Sequence, residues 1–223
     1  MRAMILAAGR GERMGELTKL TPKPLLRVAG KYLIEYSIEA LKKAGIQNIV
    51  INICYRRDDI KKALGNGERY GINIIYSEED EALETGGGIF QALPLLGSNP
   101  FVVVSCDIIS DYDLKKLPLE PAGNAHLVMV DNQSFHPKGD FCLHQGKIFY
   151  GDTDTLTFGN LGIIKPELFA ECASGQFRLA DVFKNAIAKQ QITGEHYQGQ
   201  WYNIGTPLQI TEYEVISDRN IRE

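Results

Sequence analysis

Two short stretches near the amino end of this 223-residue chain combine glycine with fixed positive charge: Ala7-Ala8-Gly9-Arg10-Gly11-Glu12-Arg13 and Thr21-Pro22-Lys23-Pro24. Glycine lets backbone N–H groups approach phosphate oxygens with no Cβ in the way, and Arg13 and Lys23 carry the full charge that a leaving pyrophosphate needs. Ala7, Ala8, Gly9, Gly11 and Glu12 are therefore candidate nucleotide contacts, with Arg13 and Lys23 as candidate catalytic cations. No Gly-Lys-Ser/Thr follows, so this is not a Walker A loop. Glycine alone would also suit a plain strand-to-helix turn. The two cations, with prolines stiffening the backbone around Lys23, favour a triphosphate cradle.

A second glycine cluster, Glu84-Thr85-Gly86-Gly87-Gly88, opens a helical pattern. Glycine costs roughly 1 kcal/mol relative to alanine inside a helix, so three in a row imply a close approach. A nucleobase or ribose against Thr85, Gly86 and Gly87 would supply it; as the alternative, Thr85 is the helix N-cap. Further on, the apolar run from Phe101 to Cys106 ends in Asp107. The carboxyl ends of parallel strands form the ligand edge of such a sheet, which brings Asp107 beside the Gly9 loop as a hard oxygen ligand for Mg²⁺. Its alternative role, shared with Asp111, is to cap a short helix near Tyr112–Lys116. Asn203, before a glycine turn in Trp201-Tyr202-Asn203-Ile204-Gly205-Thr206, is either a second Mg²⁺ ligand or a turn residue. The four histidines show no metalloprotease or hydrolase spacing, and His136 alone stands in a loop that can meet a substrate.

Continuous apolar runs alternate with helical patterns through the first half, as in a buried parallel sheet of βαβ units. The pattern predicts strands over Met1–Leu6, Asn48–Ile53, Ile72–Tyr76 and Phe101–Cys106, with helices over Lys31–Ala44, Asp58–Leu64 and Gly86–Leu95. The second half is less regular. It predicts a strand over Ala125–Val130, a hairpin of Phe141–His144 with Lys147–Tyr150, a strand ending at Lys165, and helices over Glu167–Cys172, Leu179–Lys189 and Pro207–Ser217. Asn132–Asp140 reads as a mobile loop.

The length suits one α/β domain and is short for two. A formal net charge of −4 argues against a general nucleic-acid binder, so basic groups must act locally. Four scattered cysteines with no C-x-x-C pair fit a reducing cytoplasm, and no apolar run approaches a membrane span.

Taken together, these pieces resemble the sugar-1-phosphate nucleotidyltransferases, whose glycine-rich loop, Arg and Pro-Lys-Pro stand here as L-A-A-G-R-G-E-R-M (Leu6 to Met14) and T-P-K-P (Thr21 to Pro24). E-T-G-G-G, the strand-terminal Asp107 and the late W-Y-N-I-G-T carry the likeness through the whole chain. Within that family the stretches Leu83–Gly97, Ser110–Asp113, His126–Asn132 and Gly139–Phe141 look most like the branch that transfers UMP to N-acetylmuramate α-1-phosphate in cell-wall recycling. The resemblance implies one Rossmann-like, GT-A-like α/β domain over 1–223. Its sheet is mostly parallel and flanked by helices, with 1–110 mainly binding nucleotide and a β-rich 111–223 binding sugar and supplying the second metal ligand. It implies a cytoplasmic transferase using Mg²⁺, UTP and a sugar-1-phosphate, as a monomer or loose homodimer, with Ser105, Asp140 and Asn160 near the sugar. Guanylyl transfer to mannose-1-phosphate and uridylyl or thymidylyl transfer to glucose-1-phosphate are the alternatives within the family. The branch pattern has Asn-Gly-Asp where this chain has Ser105-Cys106-Asp107, and Asp where it has Asn203. A regulatory nucleotide-binding protein without turnover is the alternative outside enzymes.

Overall fold

A computed structural model describes residues 1–222, the last three as backbone alone. The elements, in chain order, are strand β1 (Arg2–Leu6), helix α1 (Leu17–Leu20), a small ribbon of β2 (Arg27–Val28) and β3 (Lys31–Tyr32), α2 (Leu33–Lys43), β4 (Asn48–Ile53), α3 (Arg57–Leu64), β5 (Asn73–Glu78) and α4 (Glu84–Leu96). Then come β6 (Phe101–Ser105), β7 (Ile108–Ser110), β8 (Ala125–Val130), β9 (Phe141–His144), β10 (Lys147–Phe149), β11 (Thr155–Ile164), α5 (Leu179–Ala188), β12 (Ile192–Tyr197), β13 (Trp201–Asn203) and α6 (Pro207–Arg222). Nine strands form one sheet in the order β5-β4-β1-β6-β11-β8-β12-β10-β9.

The first four strands of that order are parallel, as the near-continuous apolar runs of β1, β4 and β6 lead one to expect, with β5 at the half-exposed edge. Ile34, Ile38 and Leu41 of α2 and Ile60 and Leu64 of α3 cover one face, meeting Ala3 and Ile5 of β1 and the isoleucines of β4. The other face, through Met4, Val50 and Val103, packs on Ile89, Ala92 and Leu96 of α4 and Val182 and Phe183 of α5. Each fully buried aliphatic side chain contributes about 1.5–3 kcal/mol, so the parallel half is a stiff platform for the loops at its carboxyl edge. Parallel order stops at β6: the ten-residue β11 runs antiparallel to both β6 and β8, while β12 returns parallel to β8. A smaller core of Met14, Leu26, Val28, Leu33, Ile109 and Ile204 ties the glycine loop to the β7–β13 ribbon, with Tyr213 of α6 packed against it.

Five strands go beyond the sequence pattern: β2, β3, β7, β12 and β13. β2 pairs with β3, at the start of the predicted helix Lys31–Ala44, and β7 with β13, as two separate two-stranded ribbons. The predicted helix Glu167–Cys172 is a single 3₁₀ turn over Pro166–Phe169. The loop at 132–140 is fastened by Asn132, whose Nδ2 donates to the Thr155 carbonyl at 2.8 Å and whose Oδ1 accepts from Thr157 Oγ1 at 2.9 Å. No helix among the described residues is long and apolar enough to cross a membrane.

Candidate active site

Because Leu6 and Ser105 are neighbours in the parallel register, the loop after β1 and the turn after β6 leave the sheet side by side. The Cys106 N–H donates to the Leu6 carbonyl at 3.1 Å and fixes that juxtaposition. Gly11 has φ +71°, a backbone region that disfavours a side chain. A methyl group there would also come within 2.9 Å of Lys23 Cβ, so glycine is needed for the loop to close over the lysine stem. Pro22 and Pro24 flank Lys23 at the start of a 3₁₀ turn over Lys23–Leu25, and the lysine is buried to 8% exposure. From there its ammonium reaches Asp107 Oδ2 at 2.5 Å, across 84 residues of sequence.

Asp107 does not cap the short 3₁₀ turn Leu114–Lys116; Asp113 does, accepting from the Lys115 N–H. Asp111 is occupied elsewhere, accepting from the Gln200 N–H at 2.8 Å and from the Tyr197 hydroxyl. The β7–β13 ribbon pairs Asn203 with Ile108, and the Ile204 N–H donates to the Asp107 carbonyl at 2.8 Å. The backbone of Asn203 is thereby brought alongside the Asp107–Ile108 segment. The Asn203 Oδ1 is buried and has no hydrogen-bond partner among the described residues. An orphaned buried oxygen is rare and costly, and an amide oxygen together with a carboxylate is a donor pair suited to a hard divalent cation. The neighbouring Cys106 thiol is pushed up to about 12 by burial and by Asp107, with Lys23 pulling the other way, so it is a neutral, unreactive side chain.

Two adjoining cavities meet at Leu6, Arg13 and Thr85. The larger, about 550 Å³, is lined by Ala8, Gly9, Gly11, Glu12, Lys23, Ser105 and Asp107. The smaller, about 350 Å³, contains Asp140, Asn160, His136, Trp201 and Asn203. Arg13 bridges the two, lying so close over Gly205 that a methyl there would sit 3.0 Å from its Nη2. Ser105 thus lines the larger cavity, whereas Asp140 and Asn160 share the second. Asp140 is held rigidly: Oδ2 accepts from the Phe158 N–H at 2.8 Å, and Oδ1 lies 3.0 Å from His136 Nε2. Asn160 has φ +54° at the irregularity in β11 that turns it into the cavity.

Three expected nucleotide contacts are otherwise engaged. The Ala7 N–H donates to Asn52 Oδ1 at 2.9 Å. Those of Gly86 and Gly87 both donate to the Phe177 carbonyl, and methyls there would strike the Phe177 ring and the Gly175 carbonyl. The chain's own crossing segment accounts for the missing Cβ atoms at both glycines. Thr85 is not the N-cap, which is Leu83; its hydroxyl accepts from the Leu179 N–H at 3.2 Å.

Sequence reasoning passed over Asn52 and Glu79, both nearly inaccessible and both lining the larger cavity. Asn52 Nδ2 donates to Glu79 Oε1 at 2.7 Å, and Glu79 Oε2 accepts from the Leu83 N–H at 3.0 Å. This bracket joins the start of the glycine-rich loop to the start of α4. Its signal was a polar residue inside the apolar run Ile49-Val50-Ile51-Asn52-Ile53.

A nucleotidyl transferase family model matches residues 2–130. The chain is 42% identical to an N-acetylmuramate alpha-1-phosphate uridylyltransferase of Neisseria meningitidis serogroup B, over 97% of this chain and 98% of that one. It is 33% identical to the protein of the same name from Caulobacter vibrioides, over 92% of each. Among solved structures, a putative glucose-1-phosphate thymidylyltransferase from Bacillus anthracis superposes with a TM-score of 0.87 at 20% identity, over 97% of this chain and 95% of that one. The inositol-1-phosphate CTP transferase from T. maritima gives 0.80 at 19%, over 97% and 94%. At those identities the two structures speak to the fold alone.

Proposed function

The chain belongs to the nucleotidyl transferase family, and from that premise we propose that it transfers UMP from UTP to N-acetylmuramate α-1-phosphate, releasing pyrophosphate. The likeness along nearly the whole chain to two proteins named for that activity supports the acceptor and the base. The observation that carries the chemistry is the hollow in which Arg13, Lys23 and Asp107 converge, with the Lys23 ammonium 2.5 Å from the Asp107 carboxylate.

In this reaction an oxygen of the sugar phosphate forms a bond to the α-phosphorus while the bond to the bridging oxygen breaks, and that electron pair leaves on pyrophosphate. The nucleophile is already anionic, so no covalent enzyme intermediate is needed and catalysis is alignment with charge neutralisation. Backbone groups from Ala8 to Gly11 hold the phosphates in the larger cavity. Arg13, at the junction of the cavities, offsets charge on the departing β,γ-phosphates, and Lys23 bridges the α-phosphate and the incoming one. Asp107 and Asn203 would hold Mg²⁺, which when bound supplies further positive charge to the reacting phosphates. Asp140 and Asn160 orient the sugar in the smaller cavity. Ser105-Cys106 leaves this metal position intact, since Asp107 keeps its place after β6.

We further propose a cytoplasmic protein of one domain, in which 1–110 mainly binds nucleotide and 111–223 mainly binds sugar, acting as a monomer or loose homodimer. The test is pyrophosphate release across a panel of triphosphates and sugar-1-phosphates. UTP with N-acetylmuramate α-1-phosphate is the expected best pair; guanylyl transfer to mannose-1-phosphate or thymidylyl transfer to glucose-1-phosphate as the best pair would overturn the assignment. Tight UTP binding with no release from any pair would leave a nucleotide-binding regulator.

A further inference from the structure

In the free protein the Asp107 carboxylate is not bare: Lys23 covers it in a contact where the lysine side chain is only 10% exposed and the aspartate 20%. We infer that Lys23 is the resident cation of the free site, standing where a divalent ion would lie, and that its transfer to a nucleotide phosphate opens the Asp107–Asn203 pair to metal. This rests on those two residues being the metal position in the reading above.

The argument is one of unequal satisfaction. A lysine ammonium is a point charge with three donors on a flexible stem. Here it reaches one carboxylate oxygen, while the buried Oδ1 of Asn203, on the strand paired with the segment that follows Asp107, remains without a partner among the described residues. A divalent cation would satisfy both oxygens, but it must first move a like charge out of the way. The lysine stem is fixed, because Gly11 lies against its Cβ and Cδ. The outer end adjoins the cavity that takes the phosphates, so it has room to turn towards an anion. Binding of a phosphate and binding of a metal therefore favour each other, and linkage makes the factor the same in either direction. The consequence is an order of addition: free protein takes metal weakly, and nucleotide prepares the metal position.

The test uses the full chain and Mn²⁺, with affinity read by paramagnetic resonance or calorimetry and not by turnover. Lys23→Met should bind Mn²⁺ about tenfold more tightly than the wild type in the absence of nucleotide. UMP, whose single phosphate corresponds to the α-phosphate, should tighten Mn²⁺ binding by a similar factor in the wild type and hardly at all in Lys23→Met, after correction for the Mn²⁺–UMP complex. Thermal unfolding gives an independent reading: Mn²⁺ should raise the midpoint of Lys23→Met and leave that of the free wild type nearly unmoved. Equal Mn²⁺ affinities for wild type and Lys23→Met would overturn the inference, as would UMP without effect on the wild type. Asp107→Asn separates this from the site assignment. If it abolishes Mn²⁺ binding while Lys23→Met fails to tighten it, only the resident-cation idea is wrong. If Asp107→Asn leaves Mn²⁺ binding unchanged, the metal position itself is wrong and the inference falls with it.

Discussion

Replacing Asn203 by leucine should make the free protein more stable and nearly inactive. The side chain offers a buried Oδ1 that no group among the described residues reaches, and such an unsatisfied atom costs about 1–3 kcal/mol. Leucine removes that atom in a similar shape, and its extra volume can enter the adjoining cavity, which Asn203 lines. A domain of this length shifts its melting midpoint by about 2–4 °C per kcal/mol, so the free protein should gain about 2–12 °C. Turnover should fall by roughly two orders of magnitude, the usual scale for losing one stabilising group at a reacting phosphate. Differential scanning calorimetry without metal or nucleotide, beside pyrophosphate release on the same preparation, reads both quantities. Asn203→Asp sets the sign from the other side: a second carboxylate beside Asp107 should lower the midpoint of the free protein and let Mg²⁺ restore it. A leucine variant that melts lower and still turns over within twofold of the wild type would refute the view that this amide oxygen is held in reserve for a cation.

Gly205→Ala puts a methyl 3.0 Å from Arg13 Nη2, so the guanidinium must shift; KM for the triphosphate should rise about tenfold, the worth of roughly 1.4 kcal/mol, with little change in melting. Gly87→Ala drives a methyl into the Gly175 carbonyl, an overpacking cost of about 1–3 kcal/mol that urea titration should register as a lower midpoint. His126 sits with Nδ1 2.9 Å from Thr193 Oγ1, and burial holds its imidazole below the ordinary range while Glu195 pulls upward. The unfolded chain then binds the extra proton more readily, so this contribution is complete above about pH 6.5 and is lost as pH falls towards the folded value. His126→Gln should flatten stability against pH across that window, and an unchanged slope would count against it.

The parallel half of the fold was legible because β1, β4 and β6 are buried on both faces and nearly apolar throughout. Asn48–Ile53 in that half and Ala125–Val130 outside it come out with the predicted bounds. β12 was not, since Thr193, Glu195 and His196 interrupt its apolar pattern and its strand character comes from pairing with β8. β7 and β13 are three residues each and exist because they pair with one another, which no local pattern encodes. At the site, Lys23 and Asp107 could be read because charged residues flanked by prolines or ending an apolar strand have few structural uses. The orphaned Oδ1 of Asn203 and the Asn52–Glu79 bracket depend on which groups fail or manage to find partners in three dimensions. The glycines at 86 and 87 carried a real steric signal, but the crossing segment Gly175–Phe177 that answers it lies some ninety residues away.

Single-turnover formation of UDP-sugar from UTP and N-acetylmuramate α-1-phosphate, compared between the wild type and Lys23→Met with UTP affinity measured in parallel, tests the central claim most directly. The account predicts rapid product formation by the wild type and a loss of two or more orders of magnitude in the variant, which still folds and still binds UTP. A variant that forms product within threefold of the wild-type rate would contradict it.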